Sequence, residues 1–292
     1  MTNTITPADA APPPQLSPGT RTTVRAGLVV LAAILLVGVL VALAGVAFGL
    51  TRFRVVAQSS TLPASLRTLE IDIDTAPAAV RITSDRSARE PRVDMRMVNS
   101  SRSDAEPLSV SADGTAARVS ITPASSEWLR QARAGEITVV LPDELARRLA
   151  VTVRQDVGVV FAEADLDRFT AQTREGAVVL NGSARQVDID NEHGEIVSRR
   201  PIAVSESFRA STATGEVSVK FGEVPETVDA EAGRGDVVLS LPAPGPYLVN
   251  VSTGRDRGDT VVKVPQTRNV DEAVAVVTAR SDTGNVVVDE VD

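Results

Sequence analysis

The chain has no cysteine, one histidine, one tryptophan and one tyrosine among its 292 residues, and aromatic residues make up only 3%. The absence of cysteine excludes disulfides and thiol chemistry, although a domain of this size can be stable without disulfides in any compartment. A single histidine with no Gly-x-Ser-x-Gly elbow does not assemble a hydrolase triad, and no phosphate loop or dinucleotide fingerprint is found. The sequence therefore predicts no catalytic residue, no cofactor and no enzyme.

Positive charge is scarce in the long C-terminal part of the chain. The whole sequence has 30 basic and 38 acidic residues, a net charge of −8. Arg21, Arg25, Arg52, Arg54 and a single acid, Asp9, precede residue 55, which leaves 26 basic and 37 acidic residues (−11) in 55–292. Because a phosphate backbone requires a cationic face, this balance argues against a nucleic-acid partner.

Residues 26–50 form an apolar run without a charged side chain. As a helix they would extend about 37 Å, enough to cross a hydrocarbon core of about 30 Å. A cleaved signal peptide is the alternative, but its apolar region is usually only about 7–15 residues long. We predict one uncleaved transmembrane helix at 26–50, preceded by a disordered Pro-, Ala- and Thr-rich tail at 1–25 and followed by a stalk at 51–66.

Basic residues lie on both sides of this helix and do not decide its orientation. A short tail precedes the helix, and a large domain without cysteine follows it. We therefore expect a single-pass cell-membrane protein with a cytoplasmic N-terminus and an extracytoplasmic C-terminal domain.

One phrase, apolar-x-small-x-polar-x-x-Gly-x-apolar-x-apolar, occurs seven times after residue 150, and the spacing of its glycines widens toward the C-terminus. Alternation with a period of two predicts strands, and a repeat of about 20 residues predicts coils that must stack to bury their apolar faces. We expect each glycine to adopt a positive φ at a corner between two strands. These glycines are Gly158, Gly176, Gly194, Gly215, Gly235, Gly258 and Gly284.

The repeats also align the side chains on both sides of each glycine. Seven positions before it, Val187, Phe208 and Val228 should stack in successive coils, and the same count places Val251 in this column. Three positions before it, inward-facing polar groups could bond the corner amides: Gln155, Thr173, Asn191, Thr212 and Ser281. Three positions after it, mostly apolar residues suggest a second sheet that is covered on both faces or meets a partner: Phe161, Val179, Val197, Val238, Val261 and Val287.

The predicted fold class is all-β, a parallel and right-handed β-solenoid of about seven coils at 142–292. Residues 67–141 alternate with looser spacing and are interpreted as an N-terminal β cap, because an open solenoid end would expose a strand edge. Trp128 would close the end of the core. The two helical candidates are short, at 125–134 and 143–149.

The phrases Gly194-Glu195-Ile196 and Gly215-Glu216-Val217, with the Val-x-Leu-Pro break at Val139–Pro142, resemble the bacterial "toastrack" family. That family is also described as a "putative adhesin" or β-strand-repeat domain of unknown function. The resemblance covers about residues 67–292. It implies a bacterial envelope protein tethered by one membrane helix and placed near envelope-stress systems, and it brings no catalytic residues with it.

The residue after each glycine is often acidic, and carboxylates on adjacent parallel strands would lie about 4.8 Å apart. Such neighbours repel by roughly 1 kcal/mol per pair even in water. Either solvent and a basic column (His193, Arg234, Arg257) neutralise them, or a divalent cation or cationic polymer binds along them. The acidic ladder consists of Glu195, Glu216, Asp236 and Asp259, with Asn285 next.

Two tripeptides, Arg234-Gly235-Asp236 and Arg257-Gly258-Asp259, spell the integrin-binding motif, but the repeat itself already requires glycine followed by an acid. The acids before His193 do not fit a calcium loop, because that loop needs glycine at position 6 and Gly194 would be at 7. No metal site is predicted.

The sequence favours a membrane-anchored, non-catalytic envelope protein whose exterior β-repeat domain serves as an interaction or sensing module, either adhesin-like or an envelope-stress accessory. Its partner would be an envelope polymer or a membrane protein. One alternative is a β-helix enzyme acting on envelope polysaccharide, although aromatic sugar platforms and long loops are lacking. The other is a regulator acting through its transmembrane helix, where Gly45-x-x-x-Gly49 could support packing.

Overall fold

The computed structural model describes residues 53–73, 77–100, 107–121, 135–254 and 258–291. The chain divides into two compact units, Met1–Phe53 and Arg54–Asp292, and apart from Phe53, the first residue of β1, the strands described below belong to the second. The predicted transmembrane helix, the tail, Trp128 and the helix at 125–134 lie outside the described residues. Within the described ranges, no helix combines the length and the apolar character needed to cross a bilayer.

The described part of the chain is all-β, as predicted from its alternation. Helical structure there is limited to α1 (Asp143–Ala146), inside the segment 143–149, and a 3-10 turn at Val270–Glu272. The strands are β1 (Phe53–Thr61), β2 (Thr68–Ile73), β3 (Ala78–Ser84), β4 (Arg92–Ser100), β5 (Leu108–Asp113), β6 (Ala116–Ile121), β7 (Gly135–Leu141), β8 (Ala150–Ala162), β9 (Leu166–Leu180), β10 (Ser183–His193), β11 (Ile196–Ser198), β12 (Ile202–Thr214), β13 (Val217–Glu223), β14 (Thr227–Arg234), β15 (Val237–Leu241), β16 (Leu248–Thr253), β17 (Thr260–Val262), β18 (Val276–Thr283) and β19 (Val286–Glu290).

Each repeat forms one coil, which contributes a strand to a first sheet, turns at its glycine and contributes a strand to a second sheet. β8 and β9 are long enough to run through both sheets. The first sheet has the order β5-β6-β2-β8-β9-β10-β12-β14-β18-β16. The second has the order β1-β4-β7-β3-β8-β9-β11-β13-β15-β19-β17. Pairing from coil to coil is parallel.

The coils do not stack in chain order at either end. The last coil, β18 and β19, lies between the coil of β14 and β15 and the coil of β16 and β17. At the other end, β2 and β3 pair with β8 and lie inside β6 and β7. The crossover at the C-terminal end uses the connection 263–275, which is long enough to pass back over the outermost coil.

The register aligns the apolar columns across the stack. Phe208 lies beside Val187 on one side and Val228 on the other, which confirms the predicted stacking of these three residues. The prediction for Val251 is wrong: Val249 pairs with Val277 in this column, and Val251 pairs with Ala279. The reason is a corner two residues longer before Gly258, so that counting back from the glycine overshoots by two.

The core is a set of thin layers between the two sheets. Buried residues at alternate positions point inward from every coil, and the largest of them include Phe208 and Phe221, whose rings meet edge to face at 5.1 Å. Antiparallel strands flank the coils at the N-terminal end, β4 against β7 and β5 against β6. The fold therefore presents two long outer sheet faces and one edge of glycine corners.

Candidate functional site

The repeat glycines form a continuous column along one edge of the stack. A Cβ on Gly194 would overlap the carbonyl oxygen of Gly176, and a Cβ on Gly215 would overlap that of Gly194. Close approach of the backbones therefore requires glycine at these corners. A positive φ is found at Gly158, Gly176, Gly194, Gly215, Gly235 and Gly284.

Polar side chains three positions before the glycines are buried, as predicted, but they bond carbonyls rather than amides. Thr212 Oγ1 donates to the carbonyl oxygen of Gly194 at 3.2 Å, and Ser281 Oγ donates to that of Gly235 at 2.8 Å. The amides are unavailable to them because backbone bonds already use them: the nitrogen of Gly194 donates to the oxygen of Thr214 at 2.8 Å. These hydrogen bonds tie each of these two corners to the neighbouring corner of the stack.

Gln155 is the exception in this inner row. Its side chain is 5% exposed, and neither its Oε1 nor its Nε2 has a hydrogen-bond partner among the described residues. The equivalent side chains of the next two coils bond each other instead, because Thr173 Oγ1 donates to Asn191 Oδ1 at 2.9 Å. Gln155 pairs with Ile73 of β2.

The acidic ladder is interrupted because of the crossover of the last coil. Asn285 lies between Asp236 and Asp259: its backbone nitrogen donates to Asp236 Oδ1 at 2.7 Å, and its Oδ1 accepts from the nitrogen of Asp259 at 3.0 Å. The expected order, with Asn285 after Asp259, is therefore wrong. Only Glu195, Glu216 and Asp236 follow one another directly, and Asp259 has an amide as its neighbour in place of a carboxylate.

The predicted basic column is also interrupted. His193 pairs with Thr214 and Thr214 with Arg234, so the two basic residues are separated by a coil, and Arg257 lies outside the described residues. Within the described ranges, no ion pair joins a basic side chain to Glu195, Glu216 or Asp236. No group of three or more potential metal ligands is found there either.

The outer face of the first sheet is ionic. Glu70 binds both Arg118 and Arg154, and Arg174 lies 3.0 Å from Asp156. These pairs cross from coil to coil, so they neutralise one another on the sheet surface and each contributes little to stability.

A third ionic group lies in the first residues of β9, β10 and β12. Arg185 bonds Asp167 at 2.8 Å and Glu206 at 2.7 Å. Its hydrogen bonds hold the pKa values of both carboxyls below their usual range. Because these carboxylates are already satisfied by one guanidinium, this group serves to join three coils.

The outer face of the second sheet has a different character. Its central column is apolar and half-buried, and Val179 is only 6% exposed. Phe161 lies in this column, with the guanidinium carbon of Arg81 4.5 Å and that of Arg199 5.6 Å from its ring centre. No described element packs over this face. The column contains the residues predicted from the repeat, Phe161, Val179, Val197, Val238, Val287 and Val261, with Ser218 interposed.

The chain matches no family model and no curated protein sequence. It is similar to solved structures described as adhesins, the kind of protein that the repeat phrases resemble. One is a "putative cell adhesion protein" from Clostridium sporogenes, with 8% identity, covering 82% of this chain and 100% of the other, at a TM-score of 0.33. Another is a "putative adhesin" from Parabacteroides merdae, with 12% identity, coverage of 82% and 97%, and a TM-score of 0.40. A third, from Bacteroides fragilis, has 14% identity, coverage of 82% and 97%, and a TM-score of 0.38.

Proposed function

We propose that this chain is a membrane-anchored envelope protein whose C-terminal β-solenoid acts outside the membrane as a non-catalytic, adhesin-like interaction module. The anchor is the apolar run at 26–50, and the module is the stack of coils that follows it. An envelope polymer or another membrane protein is its partner.

The observation that supports this proposal is the repetition of outward-facing side chains from coil to coil. On the outer face of the first sheet, successive coils place charged or polar side chains side by side outside the core, as in the row Asp188, Arg209, Asp229 and Thr278. Such a surface offers polar contacts many times at a spacing of about 4.8 Å, which suits binding to an extended or repetitive partner.

The topology is tested with the full-length chain carrying a different epitope at each end, expressed in bacteria. Protease added to intact cells should remove the C-terminal epitope and spare the N-terminal one. Protection of both epitopes until the cells are lysed would overturn the exterior placement of the module.

The interaction is tested by sedimenting the detergent-solubilised full chain with purified cell-wall polymer. Co-sedimentation without release of new reducing ends is the expected result. Release of reducing ends would instead identify a glycoside hydrolase and overturn the non-catalytic assignment.

A further inference from the structure

In the C-terminal coils, the outer face of the second sheet has most of its acids on one margin and its basic residues on the other. In a strand, residues two positions apart share a face, so the positions one, three and five after the glycine all point outward. In three coils these positions have the order acid, small residue, base: Glu195, Val197 and Arg199; Glu216, Ser218 and Lys220; Asp259, Val261 and Lys263.

In the remaining two C-terminal coils, the two margin positions of one coil are never both acidic. One has Asp236, Val238 and Ser240, and the other has Asn285, Val287 and Asp289. In every coil of this half of the face, the two margin positions are therefore either of opposite charge or a charged group with an uncharged polar one. The half-buried valines and Ser218 run between the margins along the stack.

We propose that this face binds a second copy of the same chain, face to face, about a two-fold axis that runs parallel to the stack over the central column. Such an axis reverses the strand direction but keeps each coil level with its own copy. Glu195 then faces Arg199 of the second copy, Glu216 faces Lys220, and Asp259 faces Lys263, each pair twice by symmetry.

Charge complementarity selects this arrangement over the other face-to-face one. A two-fold axis along the strands would reverse the stack and place the acidic margins of the two copies against each other, which repels. The parallel axis also brings both β1 strands to the same end of the dimer, because β1 lies at the end of the second sheet. That geometry suits two chains anchored in one membrane. This last point rests on the proposed function, whereas the charge argument is independent of it.

The area is sufficient for a specific but modest interface. Seven strands at about 4.8 Å and five residues at about 3.3 Å give roughly 550 Å² on each copy. The total of roughly 1,100 Å² is near the lower end for specific protein pairs. Apart from Phe161, the side chains in the central column are small and allow the sheets to approach the spacing of about 10 Å that is usual for packed sheets.

The test uses the full-length chain in detergent and exploits its lack of cysteine. Ser218→Cys places one thiol at the proposed axis, and a bis-maleimide with a short spacer should join two copies efficiently. Ser252→Cys, exposed on the outer face of the first sheet, is the matched control and should remain monomeric. Equal cross-linking of the two variants would overturn the proposal.

Charge variants on the Ser218→Cys background test the pairing itself. In the coils of β11 and β13, Glu195→Arg with Glu216→Lys makes both margin positions basic, and Arg199→Glu with Lys220→Glu makes both acidic. Each variant alone should cross-link at least roughly tenfold less, and a mixture of the two should recover cross-linking. Circular dichroism melting of each variant is the control for folding. Cross-linking that is indifferent to these changes, or absent from the mixture, would overturn the arrangement.

Discussion

At the residue scale, the properties of the corner depend on what lies directly beneath each residue in the stack. Glycine is required because the carbonyl of the neighbouring corner occupies the space of a Cβ, as Gly194 shows above Gly176. The repeat in the sequence predicted a glycine at each corner but not why glycine is needed there. A corner that requires a positive φ and a corner that excludes a Cβ by close approach both appear in the sequence as a repeated glycine. The hydrogen bond of Thr212 to the Gly194 carbonyl was likewise beyond prediction, because it joins successive coils.

Gly194→Ala should destabilise the domain by at least about 3 kcal/mol, because it combines a strained backbone with an overlap of backbone atoms. Chemical denaturation of the full chain in detergent would measure the change. Gly114→Asn is the control: Gly114 also has a positive φ of 59°, but nothing lies within 4 Å of the position that a Cβ would take there. Since Asn tolerates the left-handed region, the control should lose less than about 1 kcal/mol. Equal losses would mean that stacking of the corners is not what demands glycine.

At the element scale, strand positions, columns and parallel pairing could be predicted because they follow from a local period of two and a repeat of about 20 residues. The order of the coils could not. β16 and β18 place small apolar residues at corresponding positions, Val249 and Val251 against Val277 and Ala279, so the column pattern alone does not tell which of the two strands pairs with β14. The wider spacings that lead to Gly258 and Gly284 were the available signal, and they indicate the longer corner before Gly258 and the crossover at 263–275.

Phe208→Ala should cost about 3–5 kcal/mol, because Phe208 is 1% exposed, lies between Val187 and Val228, and packs edge to face on Phe221. The free energy of unfolding from denaturant titration is the measurement. Val270→Ala removes carbon atoms from a side chain that is 60% exposed and should change the stability by less than about 0.5 kcal/mol. A Phe208→Ala variant as stable as Val270→Ala would contradict the close packing of this layer.

At the scale of the whole molecule, the stack converts one local pattern into long rows of charge. The sequence predicted an acidic row but not its interruption. Along the chain Asp259 comes next after Asp236, but in the fold Asn285 lies between the two. The amide of Asn285 relieves the repulsion at the outer end of the row. Three consecutive carboxylates remain at its centre, and on the opposite margin of the same outer face Arg199 and Lys220 lie across from Glu195 and Glu216.

If the row Glu195, Glu216 and Asp236 binds cations, millimolar Ca²⁺ or Mg²⁺ should raise the melting temperature of the full chain, because a ligand of the folded state alone stabilises it. Glu216→Gln with Asp236→Asn should then raise the melting temperature without cations, by removing about 1 kcal/mol of repulsion per pair, and abolish the response to them. Asp259→Asn is the matched control, since Asn285 already separates Asp259 from the row, and it should leave the cation response intact. Identical melting of the wild type with and without divalent ions, shared by the double variant, would show that water alone solvates the row. The acidic margin would then serve solubility and pairing with a basic surface, and a response lost in Asp259→Asn would place the cation at the outer coil instead.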